Sequence, residues 1–225
     1  LFTKIESLLG ERAAHAIEEF TKTVAFKPQE RWSSEISRDL LDTLHAACIE
    51  GNQLNIVYTS VSGESPNAPT ERRVGPECLY FADAGVYLVA YDYDKKAYRT
   101  FAVPRIKEAA MLDDGYDSTI TSPEVFFQHS FGVLGSGDLH EIKIEVGGPM
   151  ARYVSERRWH ASQTTSLMGS QCILEMKVNL NEELVNWILS LGSCAKVIHP
   201  TKLAKIVYEE ALKIAESNKP RKKAA

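Results

Sequence analysis

The sequence predicts an α+β protein in two parts, and three observations carry that reading. Apolar residues recur at three- and four-residue spacing over the first 50 positions, then alternate with period two from Leu54. Five short alternating runs crowd into the following 60 or so residues, with hairpin-length turns between them. From Glu141 onward, strands and helices interleave in one regular order.

The elements follow in turn. Leu8, Leu9, Ala13, Ala16, Ile17 and Phe20 fall on one helical face, and Thr23–Phe26 reads as a short strand closed by Pro28. Ser37 is a good N-cap for a second helix carrying Leu40, Leu41, Leu44, Ala47 and Cys48, which Gly51 ends. Strands are expected at Leu54–Thr59, Arg73–Tyr80, Val86–Tyr91, Tyr98–Val103 and Ile106–Leu112. Turn residues separate them: a polar loop over 62–69, Asp83-Ala84-Gly85, and Asp92-Tyr93-Asp94-Lys95. Five short strands so joined suggest a small closed or nearly closed β-barrel.

After Gly115 come a polar link, a short helix at Pro123–Gln128, and a three-glycine stretch from Gly132 to Asp138 that reads as an interdomain hinge. The last part runs strand Glu141–Val146, helix Pro149–Arg157, strand Trp159–Ser166, strand Cys172–Asn179, helix Glu182–Leu191, strand Ala195–His199 and helix Thr201–Ser217. That is the βαββαβ order of ferredoxin-like domains, with one helix added. Residues 218–225 form a basic tail around Lys219-Pro220-Arg221-Lys222-Lys223.

Composition narrows the functions. At 225 residues, 44% hydrophobic and 25% charged, the chain suits one large or two small globular domains. A net charge of −4 argues against a uniformly basic nucleic-acid binder and allows a local basic site. No apolar run approaches the ~20 residues that span a bilayer, so no membrane partner is expected. Four scattered cysteines, without Cys-x-x-Cys or histidines at finger spacing, point to reduced thiols in the cytoplasm, with no metal and no disulfide framework. No nucleotide-binding glycine motif, nucleophile elbow or zinc-protease motif appears, so neither a cofactor nor an enzymatic activity is expected. The chain starts at Leu1 rather than Met, which keeps a preceding module in play.

The barrel segment holds the most informative pattern. Its charges balance, so a basic site there must come from geometry. Arg99 and Phe101 share strand parity, Arg105 opens the next strand, and Arg72 lies on an earlier one. Arginines on neighbouring strands beside Tyr58, Tyr87 and Phe101 would offer forked donors next to aromatic faces, a combination that suits phosphates and stacked bases. A plainer arrangement pairs the same arginines with Glu71, Asp92 or Asp94 on a solvated surface, and spacing alone leaves both open. His160, beside Trp159 and Ser162, lacks the acidic orienter and nucleophile elbow a hydrolytic site needs and reads as an interface or hydrogen-bonded structural residue. Trp187, Ile188 and Leu191 read as helix core, the basic tail as solvated, and Asp113-Asp114-Gly115 lacks the further ligands of a cation loop.

The string Gly85-Val86-Tyr87-Leu88-Val89-Ala90-Tyr91, followed by Arg99-Thr100-Phe101-Ala102-Val103-Pro104-Arg105-Ile106, resembles the WYL domain of bacterial transcriptional regulators. Two departures stand out: Val86 occupies the place of the family's tryptophan, and Pro104 that of the acidic residue before the second arginine. Trp159–Gln163, Glu183–Gly192 and Val197–Pro200 resemble the WCX extension that follows WYL domains, and the first 50 residues resemble the connector to an N-terminal helix-turn-helix.

The resemblance implies an SH3- or Sm-like barrel over 52–115, preceded by a helical connector over 1–51. A linker over 116–139 and the WCX domain over 140–217 follow. It also implies a ligand-sensing, homodimerising region that controls DNA through a helix-turn-helix head not in this chain. Its ligand would be a nucleic-acid fragment or nucleotide-like anion, held by Arg99 and Arg105 with Arg72, Tyr58, Ser60, Tyr87 and Phe101. The alternative is a constitutive single-stranded nucleic-acid-binding module with no signalling role.

Overall fold

A computed structural model of the chain describes residues 36–61, 66–82, 85–117, 126–135 and 137–220, all within one compact unit, Ser34–Ala225. The helical pattern at Leu8–Phe20, the strand at Thr23–Phe26, most of the helix expected at Pro123–Gln128 and the end of the basic tail lie outside the described residues. What is described is a mixed α+β fold with two antiparallel sheets and four helices.

Helix α1 (Arg38–Glu50) buries Leu44 and Ala47, and Gly51 ends it in the left-handed conformation (φ 69°) that glycine adopts without strain. Ser37 precedes the helix as expected but makes no side-chain cap; its carbonyl accepts from Leu41 N at 3.2 Å. Strands β1 (Asn52–Thr59), β2 (Pro69–Ala82), β3 (Gly85–Asp92), β4 (Ala97–Ala102) and β5 (Ile106–Gly115) form one sheet, ordered β4-β3-β2-β1-β5. A 3-10 turn, Val103–Arg105, joins β4 to β5.

Those two strands are the sheet's edges, so the five strands form no closed barrel. The sheet nevertheless curls. Leu54, Ile56 and Tyr58 of β1 share one hydrophobic core with Leu88, Ala90 and Phe101 of β3 and β4, and α1 closes that core with Leu44 and Ala47. β2 runs six residues beyond the expected Arg73–Tyr80, four before it and two after. Pro76, which has no N–H for the ladder, is absorbed by a register shift between Pro76 and Cys78.

The second sheet comprises β6 (Leu139–Gly147), β7 (Thr164–Met168), β8 (Gln171–Asn179) and β9 (Ala195–His199), ordered β7-β8-β6-β9 and antiparallel throughout. Helices α2 (Pro149–Ser155), α3 (Glu182–Ser190) and α4 (Thr201–Ser217) complete this part. Ile142, Ile144 and Val146 alternate along β6, and Cys172, Leu174, Met176 and Val178 along β8; both rows meet Ala151, Val154, Leu184, Ile188 and Leu203 from the helices. The opposite sheet face is charged, with Lys143 and Glu175 paired at 2.8 Å across the β6–β8 ladder. The strand expected at Trp159–Ser166 starts five residues later, because Trp159–Gln163 is held as a turn by side-chain hydrogen bonds.

The Gly132–Asp138 stretch, read above as a hinge, is sewn to the second sheet. Asn179 N donates to His129 O (2.8 Å) and its side chain to Gly135 O (3.2 Å). Asn181 donates to Phe131 O and Leu134 O, and the Glu183 carboxylate accepts from Leu134 N at 2.8 Å. Gly132 sits at φ 88° against that carboxylate, where a side chain would collide. On the other side, Phe127 packs on Tyr80 (4.3 Å between centroids) and Phe126 on Tyr98 (6.0 Å).

Candidate ligand site on the first sheet

Register decides which predicted residues come together, because partners across an antiparallel ladder share a face. Arg72 pairs with Ile56, Val74 with Asp92, Ala90 with Arg99, and Leu88 with Phe101. Arg72, Asp92 and Arg99 therefore lie on adjacent strands of the same inward-curving face as Tyr58 and Phe101. Tyr87 has the opposite parity to Leu88 and, paired with Tyr80 and Ala102, belongs to the other face.

The inner end of this face is apolar. Phe101 and Tyr58 are 3% and 9% exposed and meet edge-to-face at 5.1 Å, so both rings belong to the core rather than to a stacking surface. The outer end is charged. Arg72 donates from Nε to Thr70 Oγ1 at 3.3 Å, and its guanidinium lies 3.8 Å from Asp92 Oδ2. Arg99 is exposed, and among the described residues it has no ion-pair partner. Arg105 sits beyond the end of β4 on the 3-10 turn, half-buried and engaged within the fold. Ser60 lies just past β1, where its carbonyl accepts from Asn67 N at 2.7 Å.

Asp92, offered by the sequence as one of three possible arginine partners on a solvated surface, is instead buried, and its partner is Arg72. Read as a turn residue, it is 1% exposed; Oδ1 accepts from Asp94 N and Lys95 N, both at 3.0 Å, while Oδ2 faces Arg72. The Asp-x-Asp-Lys string announces the turn, but only the β2–β3 register reveals the ion pair. The outer face carries a group that the sequence did not suggest. Tyr98 and Tyr116 hydroxyls meet at 3.0 Å, Tyr116 donates to Glu77 at 2.5 Å, and Arg73 lies over Tyr93 at 5.9 Å. Burial, then the hydrogen bonds to Glu77 and Tyr98, push the Tyr116 phenol up, so it stays protonated.

Other chemistry is quiet. A groove of about 570 Å³ between α1 and β5 is lined by Leu40, Val103, Pro104, Ile106 and both signs of charge, Asp39, Glu108 and Lys107. It lies apart from Arg72 and Arg99. Burial, with Cys78 and Glu77 nearby, pushes the Cys48 thiol up to about 12, which leaves no reactive thiolate. His160 accepts from Ser162 N through Nδ1 at 3.1 Å. Among the described residues no group of three His, Cys, Asp or Glu could hold a metal, and no helix is long and apolar enough to cross a membrane.

A WYL-domain family model matches residues 39–111, so the match takes in α1 and the sheet up to Met111 of β5, and a WCX-domain model matches residues 138–215. No curated protein matches the chain. Solved structures similar to the chain include the following two. Proteasome accessory factor B/C (PafBC) of Arthrobacter aurescens is 18% identical, over 84% of this chain and 29% of that one, with a TM-score of 0.37. A CRISPR Cas-related protein is 13% identical, over 79% of this chain and 50% of that one, with a TM-score of 0.49. The chain thus spans half or less of either structure's length.

Proposed function

The chain belongs to the WYL-domain family, with a WYL domain followed by a WCX domain, and on that premise we propose that it is the ligand-sensing region of a transcriptional regulator. An anionic ligand, a nucleic-acid fragment or nucleotide, binds the outer rim of the first sheet and biases a helix-turn-helix head outside this chain. The region works as a cytoplasmic homodimer and by binding rather than catalysis. The observation that carries the reading is Arg99: exposed, without an ion-pair partner among the described residues, and on the same face as Arg72. A guanidinium so placed offers forked donors to a phosphate.

Topology supports the finer fold reading. A helix followed by five strands ordered β4-β3-β2-β1-β5, with a 3-10 turn between the edges, fits an Sm- or SH3-like barrel left open along one seam. In the second sheet, order β7-β8-β6-β9 with helices after the first and third strands fits a ferredoxin-like domain. We place the connector at 1–51, the barrel at 52–115, the linker at 116–139 and the WCX domain at 140–217. For sensing, the ligand must distinguish two dimer arrangements by about 1–3 kcal/mol.

Fluorescence anisotropy of a short labelled single-stranded DNA tests the site, at two salt concentrations, with Arg99→Ala and Arg105→Ala in parallel. Micromolar or tighter binding that Arg99→Ala removes without loss of fold is the expected result. Binding that survives Arg99→Ala moves the site elsewhere. An Arg105→Ala chain that unfolds makes that arginine structural.

A further inference from the structure

We propose that Asp92 is an internal counter-anion that holds Arg72 in the unliganded chain and limits how much negative charge the rim accepts; this rests on the rim being the ligand site. Three observations carry it. The Asp92 side chain is 2% exposed, and Arg72 is its one salt-bridge partner among the described residues. The separation of 3.8 Å between Arg72 and Asp92 Oδ2 is long for a charge-assisted hydrogen bond, so the pair is electrostatic and separable. By register, Asp92 lies between the two arginines, on the strand between theirs.

Chemistry then sets the consequence. A phosphate approaching Arg99 meets a fixed carboxylate one strand away, in a setting that screens charge less than water does. Arg72 is neutralised until the ligand draws it outward, and its side chain, 21% exposed, has access to solvent. Because the turn N–H groups of Asp94 and Lys95 fix Oδ1, the carboxylate cannot swing aside to make room. The rim therefore offers one ready cation, Arg99, and one restrained cation, Arg72. It selects for a single well-placed phosphate over a dense cluster of charge.

Asp92→Asn separates charge from structure, since the amide oxygen still accepts the two turn N–H groups. Anisotropy is measured with the same labelled oligonucleotide for the full chain, Asp92→Asn, Asp94→Asn and Arg99→Ala, across a salt series. Asp92→Asn is expected to tighten binding about three- to tenfold and to steepen the log–log salt slope by roughly 0.7, the equivalent of one more phosphate contact on a single strand. Asp94→Asn removes an equal charge from the exposed part of the same turn and leaves both nearly unchanged.

If Asp92→Asn behaves like Asp94→Asn, or weakens binding, while Arg99→Ala abolishes it, the counter-anion is overturned and the rim site stands. If Arg99→Ala binds like wild type, or no variant binds at all, the rim site fails and the counter-anion falls with it. Binding by Asp92→Asn alone upholds the proposal. Asp92→Ser, a second neutral acceptor for the turn, answers the same question should Asp92→Asn not fold, with circular dichroism melts as the check.

Discussion

Tyr58 and Phe101 meet edge-to-face at 5.1 Å although β2 and β3 lie between their strands in the sheet. Only a strongly curled sheet brings them together, and their contact fixes how far the ends of β1 and β4 approach. Arg99, two residues before Phe101 on the same face, takes its position from that contact.

Phe101→Ala is accordingly a fold variant. A ring that is 3% exposed and packed on Tyr58 leaves a cavity when truncated, at a cost of about 3–5 kcal/mol. Urea titration followed by circular dichroism should show that loss, while Arg99→Ala, on the exposed end of the same strand, shifts the midpoint little. Equal losses would mean that Arg99 is also structural.

Asn181 joins three segments and makes a sharper test. Its Oδ1 caps α3 by accepting from Leu184 N at 3.0 Å, and its Nδ2 donates to Phe131 O and Leu134 O at 3.2 and 2.9 Å. Asn181→Ala removes the cap and strands two carbonyls, on the order of 2–4 kcal/mol together. Asn181→Asp keeps the cap and sets a carboxylate against both carbonyls, so it is expected to rescue nothing. Denaturation midpoints rank the two; wild-type stability in the Asn181→Asp variant would show that the cap alone matters.

How much of this was legible in the sequence depends on the range of the interaction. Alternation at Leu54, Ile56 and Tyr58 is local and announced β1, and β9 and α4 fall where their periods and the Pro200–Thr201 boundary put them. The regular element order misled at Trp159–Gln163, where a strand was expected and side-chain hydrogen bonds hold a turn instead. The site was half legible. Parity along β4 correctly put Arg99 with Phe101, but Tyr87 needed the register between strands, and so did the pairing of Asp92 with Arg72 across a β-ladder.

Gly75 makes a register-dependent prediction of its own. It lies on the outer face beneath the Tyr116 ring, and a Cβ there would collide with that ring. Gly75→Ala should displace Tyr116 from Glu77 and Tyr98 at a cost of about 1–3 kcal/mol. Near-ultraviolet circular dichroism would register the displaced tyrosine; an unchanged spectrum with unchanged stability would count against this packing.

His160 gives the second part of the chain an acid sensitivity. Nδ1 accepts from Ser162 N at 3.1 Å, and the ring is hydrogen-bonded to the Gln128 backbone. Burial chiefly lowers its pKa from the ordinary 6.5; the Gln128 bond acts against that, and His129 and Arg158 add to it. A lowered folded pKa means that the unfolded chain binds the proton first as pH falls. The contribution is therefore intact above 6.5 and is lost as pH drops from there through the folded value. Protonated Nδ1 would also face the Ser162 N–H, donor against donor, loosening the turn that ties Gln128 and Ser162 to β8, where Ser162 Oγ accepts from Lys177 N at 2.9 Å. Urea midpoints between pH 7.5 and 5 should fall for the native chain, while His160→Gln, less stable at neutral pH, should flatten that part of the profile. Parallel profiles for the two proteins would place the acid sensitivity elsewhere.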